Sequence, residues 1–171
     1  MPAQNTRGRR GRSGAATLRL TLAVQYAVAA TTLPRPAALR RWAKSALERD
    51  FRATIRFVGT REGRTLNSLY RGKDYATNVL AFVYDGTTPA TGDLVLCAPV
   101  LRTEAKAQGK TLADHCAHLV VHGMLHLQGH DHDTARTARA MEARETALLA
   151  ALGIPDPYAP TPVRRASGCT R

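Results

Sequence analysis

Apolar and polar positions change period several times along the chain, and the changes mark the elements. Leu18, Leu20, Leu22 and Val24 alternate with Arg19, Thr21, Ala23 and Gln25. Period two predicts a half-buried strand over about 17–25. Ala37–Arg49 follows Pro34 and Pro36 and carries Leu39, Trp42, Ala43, Ala46 and Leu47 at helical spacing. Thr54–Val58 reads as a second strand ending at Gly59, and 63–70 as a helix with Leu66, Leu69 and Tyr70 facing inward. Arg71-Gly72-Lys73-Asp74 is a turn by its glycine and charges. Asn78–Val83 and Gly92–Cys97 read as strands around a loop at Asp85–Thr91, and Pro99–Gln108 as a helix closed by Gly109.

Thr111–Leu127 is apolar on most sides, which predicts a buried central helix. A last helix spans about 134–151, with Asp133 as N-cap and Met141, Leu148, Leu149 and Leu152 inward, while Glu142 and Glu145 face elsewhere. After 155 the chain reads as a Pro-rich tail. The expected fold is α+β: one compact domain, a small mixed four-stranded sheet packed with five to six helices around a central His-bearing helix. The domain is expected over 17–158, between a disordered basic tail at 1–16 and a disordered tail at 159–171.

The central helix carries the chemistry. His115, His118, His122 and His126 fall in one sector at about 100° per residue, which reads as the wall of a cleft. His122 and His126, four apart, share a helix face. Gly129 can adopt positive φ, end the helix and return His132 toward the same point. Three imidazoles with one position left open make the catalytic form of a zinc site. His118 is a rival ligand or a supporting group. Cys116, six residues before His122, points to the other side of the helix and is no ligand.

The H-x3-H-x2-G-x2-H spacing is also that of the metzincin proteases, but Gly123 stands where their glutamate general base would be. An ion held by neutral imidazoles lowers the pKa of a bound water to about 7, so hydrolysis is the expected reaction class. A phosphodiester substrate needs cations for its growing charge. Arg71 and Lys73 occupy the one turn with concentrated positive charge inside the folded region.

Charge sharpens this. Lys+Arg 25 against Asp+Glu 13 gives a formal net charge of +12, which favours a polyanionic partner. Part of the excess is terminal, in Arg7–Arg12 and Arg164-Arg165. Three scattered cysteines, Cys97, Cys116 and Cys169, fit a reducing compartment better than a disulfide framework. The apolar segment 18–30 is interrupted by Arg19 and Gln25, so neither a signal peptide nor a membrane span is expected. The expected location is the cytoplasm.

His122–His132 resembles the H-G-x-L-H-L-x-G-[YH]-D-H signature of the YbeY family of bacterial rRNA maturation factors. Leu66–Asp74, Thr77–Phe82 and Gly92–Leu96 match further blocks in the same order. The likeness runs from about residue 17 to 158. It implies a single-strand-specific metallo-endoribonuclease, acting with the small ribosomal subunit in 16S rRNA 3′-end maturation and in ribosome quality control. By the same resemblance, His122, His126 and His132 would hold one Zn²⁺, and Arg71 would serve activity and RNA binding. Lys73 is expected to steer the RNA. Ala76, Ala81 and Val83 stand where the family commonly has Pro, Ser and Pro, and His130 where it often has Tyr, so His130 is expected to flank the site. The general base stays open among metal-bound hydroxide, the ribose 2′-OH and Asp131. Two other readings are a zinc peptidase and a non-catalytic ribosome assembly factor whose metal holds the fold.

Overall fold

The computed structural model describes residues 17–159. The expected disordered tail 1–16 lies outside the described residues, as does all of the expected tail 159–171 except Ala159. Four strands form one sheet: β1 Leu20–Tyr26, β2 Phe51–Val58, β3 Val79–Tyr84 and β4 Ala90–Cys97. Their spatial order is β1-β2-β4-β3. β1, β2 and β4 are parallel, and β3 runs antiparallel to β4 as the second edge. The helices are α1 Pro36–Ser45, α2 Thr60–Arg71, α3 Ala98–Ala107, α4 Leu112–Leu127 and α5 Ala135–Ala151. The fold is thus the expected single α+β domain with a mixed four-stranded sheet and a central His-bearing helix.

α4 lies at the centre and packs against α1, α3, α5, β3 and β4. Leu119, Val120, Val121, Met124, Leu125 and Leu127 bury against Leu39, Trp42, Phe51, Ile55, Leu94 and Leu101. Each fully buried large apolar side chain contributes about 1.5–3 kcal/mol relative to exposure. Cys116 is buried in this core. A smaller cluster of Val58, Leu80, Val95 and Cys97 lies on the other sheet face, with Leu66, Phe82 and Val100 packed against it.

Several boundaries and orientations differ from expectation. β2 begins three residues before Thr54 because Phe51 and Ala53 pair with β1 and bury. α1 stops at Ser45, and Gln128 accepts a hydrogen bond from the Glu48 amide at 2.7 Å, drawing residues 46–49 onto the end of α4. α2 begins at Thr60, and its last turn leaves Leu69 71% and Tyr70 62% exposed, not inward. The sheet face beneath is already filled by Leu66, Leu80 and Val95. The N-cap of α5 is Thr134, not Asp133: its hydroxyl accepts from the Thr137 amide, and Thr137 returns the bond in a capping box. The segment after 155 does not leave the domain at once. Lys110 donates to the Pro157 carbonyl, and the Tyr158 hydroxyl donates to Glu145.

Gly123 has a packing reason. A Cβ placed there would lie 2.6 Å from Leu94 Cδ2, with Leu94 fully buried on β4. The glycine lets α4 settle on the sheet at the level of the histidines. Gly123→Ala is therefore expected to lower unfolding free energy by about 1–3 kcal/mol through overpacking, as read by urea denaturation. An unchanged midpoint would show that Leu94 yields without strain.

Candidate metal centre and groove

The end of α4 is built to send His132 back. Gly129 takes φ +98. The Gly129 amide donates to the His126 carbonyl (3.0 Å) and the His130 amide to the Leu125 carbonyl (3.1 Å), the paired bonds of a Schellman ending. Gln128 anchors the turn from beneath: its side-chain amide donates to the carbonyls of Ala46 (2.7 Å) and Met124 (2.9 Å), and Arg49 donates to its backbone carbonyl at 2.6 Å. His130 points away onto Glu48 (3.0 Å), which also pairs with Arg144. It flanks the site without facing it.

His122, His126 and His132 converge. Their ligand nitrogens all lie within 4.8 Å of one another. The Nε2 atoms of His122 and His126 are 3.1 Å apart. Two nitrogens bound tetrahedrally to zinc at ~2.0–2.1 Å sit roughly 3.3 Å apart, so this donor set fits a divalent ion. Burial, and then the neighbouring charges of His122 and His132, lower the pKa of His126. That keeps its lone pair available near neutral pH.

Behind the ligands lies Glu145, 1% exposed. Its Oε1 is 2.8 Å from His122 Nδ1 and its Oε2 2.9 Å from His118 Nε2, with the Tyr158 hydroxyl donating to Oε2 as well. Burial alone would raise its pKa. The hydrogen bonds from His118, His122 and Tyr158 outweigh that and hold it down to about 2. The carboxylate thus fixes Nδ1 of His122 as the donor and turns Nε2 toward the groove. Burial, then the bond to Glu145, pushes the Tyr158 hydroxyl's pKa up, so it remains a donor.

His118, His122 and Glu145 form a second set close enough for an ion. There Glu145 already accepts from His118, His122 and Tyr158, which take up its oxygens, so the first trio is the better site. His118 is therefore a supporting group. His115 is not on an open cleft wall as the helical sector suggested: it is 3% exposed and its Nε2 meets Glu104 at 2.8 Å.

Glu145 corrects the expectation that it faces elsewhere. It sits four residues from both Met141 and Leu149, which are buried on the same stripe of α5. That spacing is the signal that could have found it. Tyr158 carried no such signal.

The trio opens on a groove of about 520 Å³ whose opposite wall includes Arg71, Thr77 and Asn78. Arg71 closes α2, where Gly72 (φ 64) ends the helix and buried Asn67 ties the following loop to it through the Tyr75 carbonyl at 2.8 Å. Among the described residues no hydrogen bond or ion pair holds the Arg71 guanidinium. Lys73 is exposed but does not line the groove. Asp131 lines it while accepting from the Asp133 amide at 3.1 Å, a loop-holding role. Gly123, against Leu94, leaves no room for the glutamate a zincin peptidase uses.

A family model described as Endoribonuclease YbeY matches residues 31–153. The chain belongs to the YbeY family. Among its YbeY relatives, the Endoribonuclease YbeY of Aromatoleum aromaticum is 56% identical over 147 residues, covering 84% of this chain and 96% of the relative. That of Methylibium petroleiphilum is 54% identical over 142 residues, covering 82% and 95%. The solution structure of TM1509 from Thermotoga maritima aligns with a TM-score of 0.51 at 19% identity, covering 88% of this chain and 100% of that one. This last likeness concerns the fold alone. No helix among the described residues is long and apolar enough to cross a membrane.

Glu145→Gln replaces an acceptor by a group that also donates. It is expected to cost about 2 kcal/mol at neutral pH in metal-free protein. The carboxylate's contribution is full above its ordinary value of 4.5 and is lost as pH falls toward about 2. Unfolding free energy of the parent should therefore fall across that window, and that of the variant should fall less. Parallel curves would remove the charged form of Glu145 as the source.

Proposed function

We propose that this chain is a metal-dependent endoribonuclease that cuts single-stranded RNA, with Zn²⁺ as the metal and ribosomal RNA as the substrate. The carrying observation is the placement, on facing walls of one groove, of three imidazoles and an arginine that has no partner among the described residues. The names of the YbeY relatives support RNA cleavage, and the formal charge of +12 supports a polyanionic ligand.

His122, His126 and His132 would hold the ion. When bound, it supplies Lewis acidity to a phosphodiester oxygen or activates a water. Arg71 donates to the non-bridging oxygens of the scissile phosphate and stabilises the charge that grows there. Glu145 keeps His122 in one tautomer and His118 in register behind it. Lys73 lies outside the groove and acts at a distance, raising the local concentration of RNA. A flexible single strand can bend its backbone between the walls, which a duplex resists. On the same reading the substrate is the 3′ end of 16S rRNA within the small ribosomal subunit, with a share in ribosome quality control.

Two variants test this together. His122→Ala is expected to lose bound metal and cleavage. Arg71→Ala is expected to keep metal content and thermal midpoint while cleavage of single-stranded RNA falls about 100-fold or more. Elemental analysis of protein purified without added metal, paired with the RNA assay, reads both. Cleavage that survives Arg71→Ala, or that only tracks folding, would instead favour an assembly factor whose metal holds the fold.

A further inference from the structure

The far side of β3 carries exposed aromatic surface that the groove does not use. Val79, Ala81 and Val83 line the groove. Alternation along the strand places Leu80, Phe82 and Tyr84 on the opposite face. Leu80 is buried beneath α2, Phe82 is half-buried and Tyr84 is 48% exposed. Tyr70, on the last turn of α2 beside Arg71, meets the Phe82 ring edge-on at 4.9 Å between centroids, and is 62% exposed. The Tyr84 hydroxyl donates to Asp93 Oδ2 at 2.7 Å, which fixes its ring.

Register extends this surface across the sheet. Tyr84 pairs with Thr91, and Thr91 with Arg52. Arg52 therefore lies two strands from Tyr84, about 9–10 Å away. It is exposed, and no partner holds it among the described residues. Asp93 is the one acidic residue that the described strands place on this face, and Tyr84 already engages it. β3 is the sheet edge, so no further described strand separates the groove from this surface. Arg71 stands at the groove wall and Tyr70 beside it in sequence turns to the other face.

We propose that Tyr70, Phe82 and Tyr84 form a stacking platform for unpaired nucleotides of the RNA whose scissile phosphate lies in the groove, with Arg52 meeting a phosphate beyond them. The proposal rests on the endoribonuclease reading above and adds where the strand goes after it passes β3. Aromatic rings flanked by cations suit single strands because every base has a π-face, whatever the sequence. A duplex keeps its bases stacked on one another and gains nothing from the rings. The platform therefore adds strand selectivity that the groove's charge alone does not supply.

The test is equilibrium binding of a fluorescently labelled single-stranded oligouridylate, with its duplex with oligoadenylate as comparison. Tyr70→Ala/Tyr84→Ala is expected to weaken single-strand binding about tenfold or more and to change duplex binding little, at an unchanged thermal midpoint. Tyr70→Phe/Tyr84→Phe keeps the rings and is expected to bind near parental affinity. It separates ring loss from loss of the Asp93 bond. Phe82 is left intact because its half-buried ring also packs against the smaller apolar cluster beneath the sheet. A parent protein that neither binds nor cuts the single strand would sink the endoribonuclease reading and the platform with it. A parent that binds and cuts, alongside an alanine pair that binds as tightly, overturns the platform alone and turns this face over to a protein partner.

Discussion

A carboxylate that is 1% exposed has to be compensated where it sits, and Glu145 is compensated by His118, His122 and Tyr158 together. Taking a charge out of water costs several kcal/mol unless its lone pairs are met by donors. The donors here come from α4 and from the segment after α5, so one buried charge ties three parts of the chain. The same bond decides which nitrogen of His122 faces the groove. Stability and chemistry therefore share a group. A neutral side chain at 145 would simplify the core and leave His122 free to turn.

The close approach at Gly123 is the second condition. Without it, α4 would ride higher on β4, and His122 beside it and His126 one turn on would move away from the wall that carries Arg71. The spacing of ligands along the helix sets their angular relation, while the glycine sets their depth. It also removes the position from which a peptidase's glutamate would act. One residue thus serves packing and narrows the reaction class.

Local patterns made much of this legible. The period-two run at 17–25, the apolar helix at 111–127 and the glycine before His132 are signals within a few residues, and each element formed close to where they pointed. What the sequence hid was contact between distant segments. Glu145 reads as outward because its charge outweighs its place between Met141 and Leu149. Leu69 and Tyr70 read as inward by their apolar character, while across the domain Leu66 already fills the space. Tyr158 belonged to a stretch that looked like a tail, and nothing local says that Lys110 and Glu145 hold it down. Side chains at these positions are placed by what lies across the domain.

The groove and the aromatic face share one strand, and this has a consequence for selectivity. β3 is at the sheet edge and only one strand thick, with alternate side chains on opposite faces: Val79, Ala81 and Val83 line the groove, and Phe82 and Tyr84 lie on the other side. A ligand that engages both must turn sharply around that edge. A single strand of RNA can do so at small cost, because its backbone torsions are soft and its bases are free to leave one another. A duplex would have to bend and open at the same place. On the proposed reading, discrimination between the two needs no reading of sequence: it would follow from how little room an edge strand leaves between the groove on one side and the aromatic face on the other.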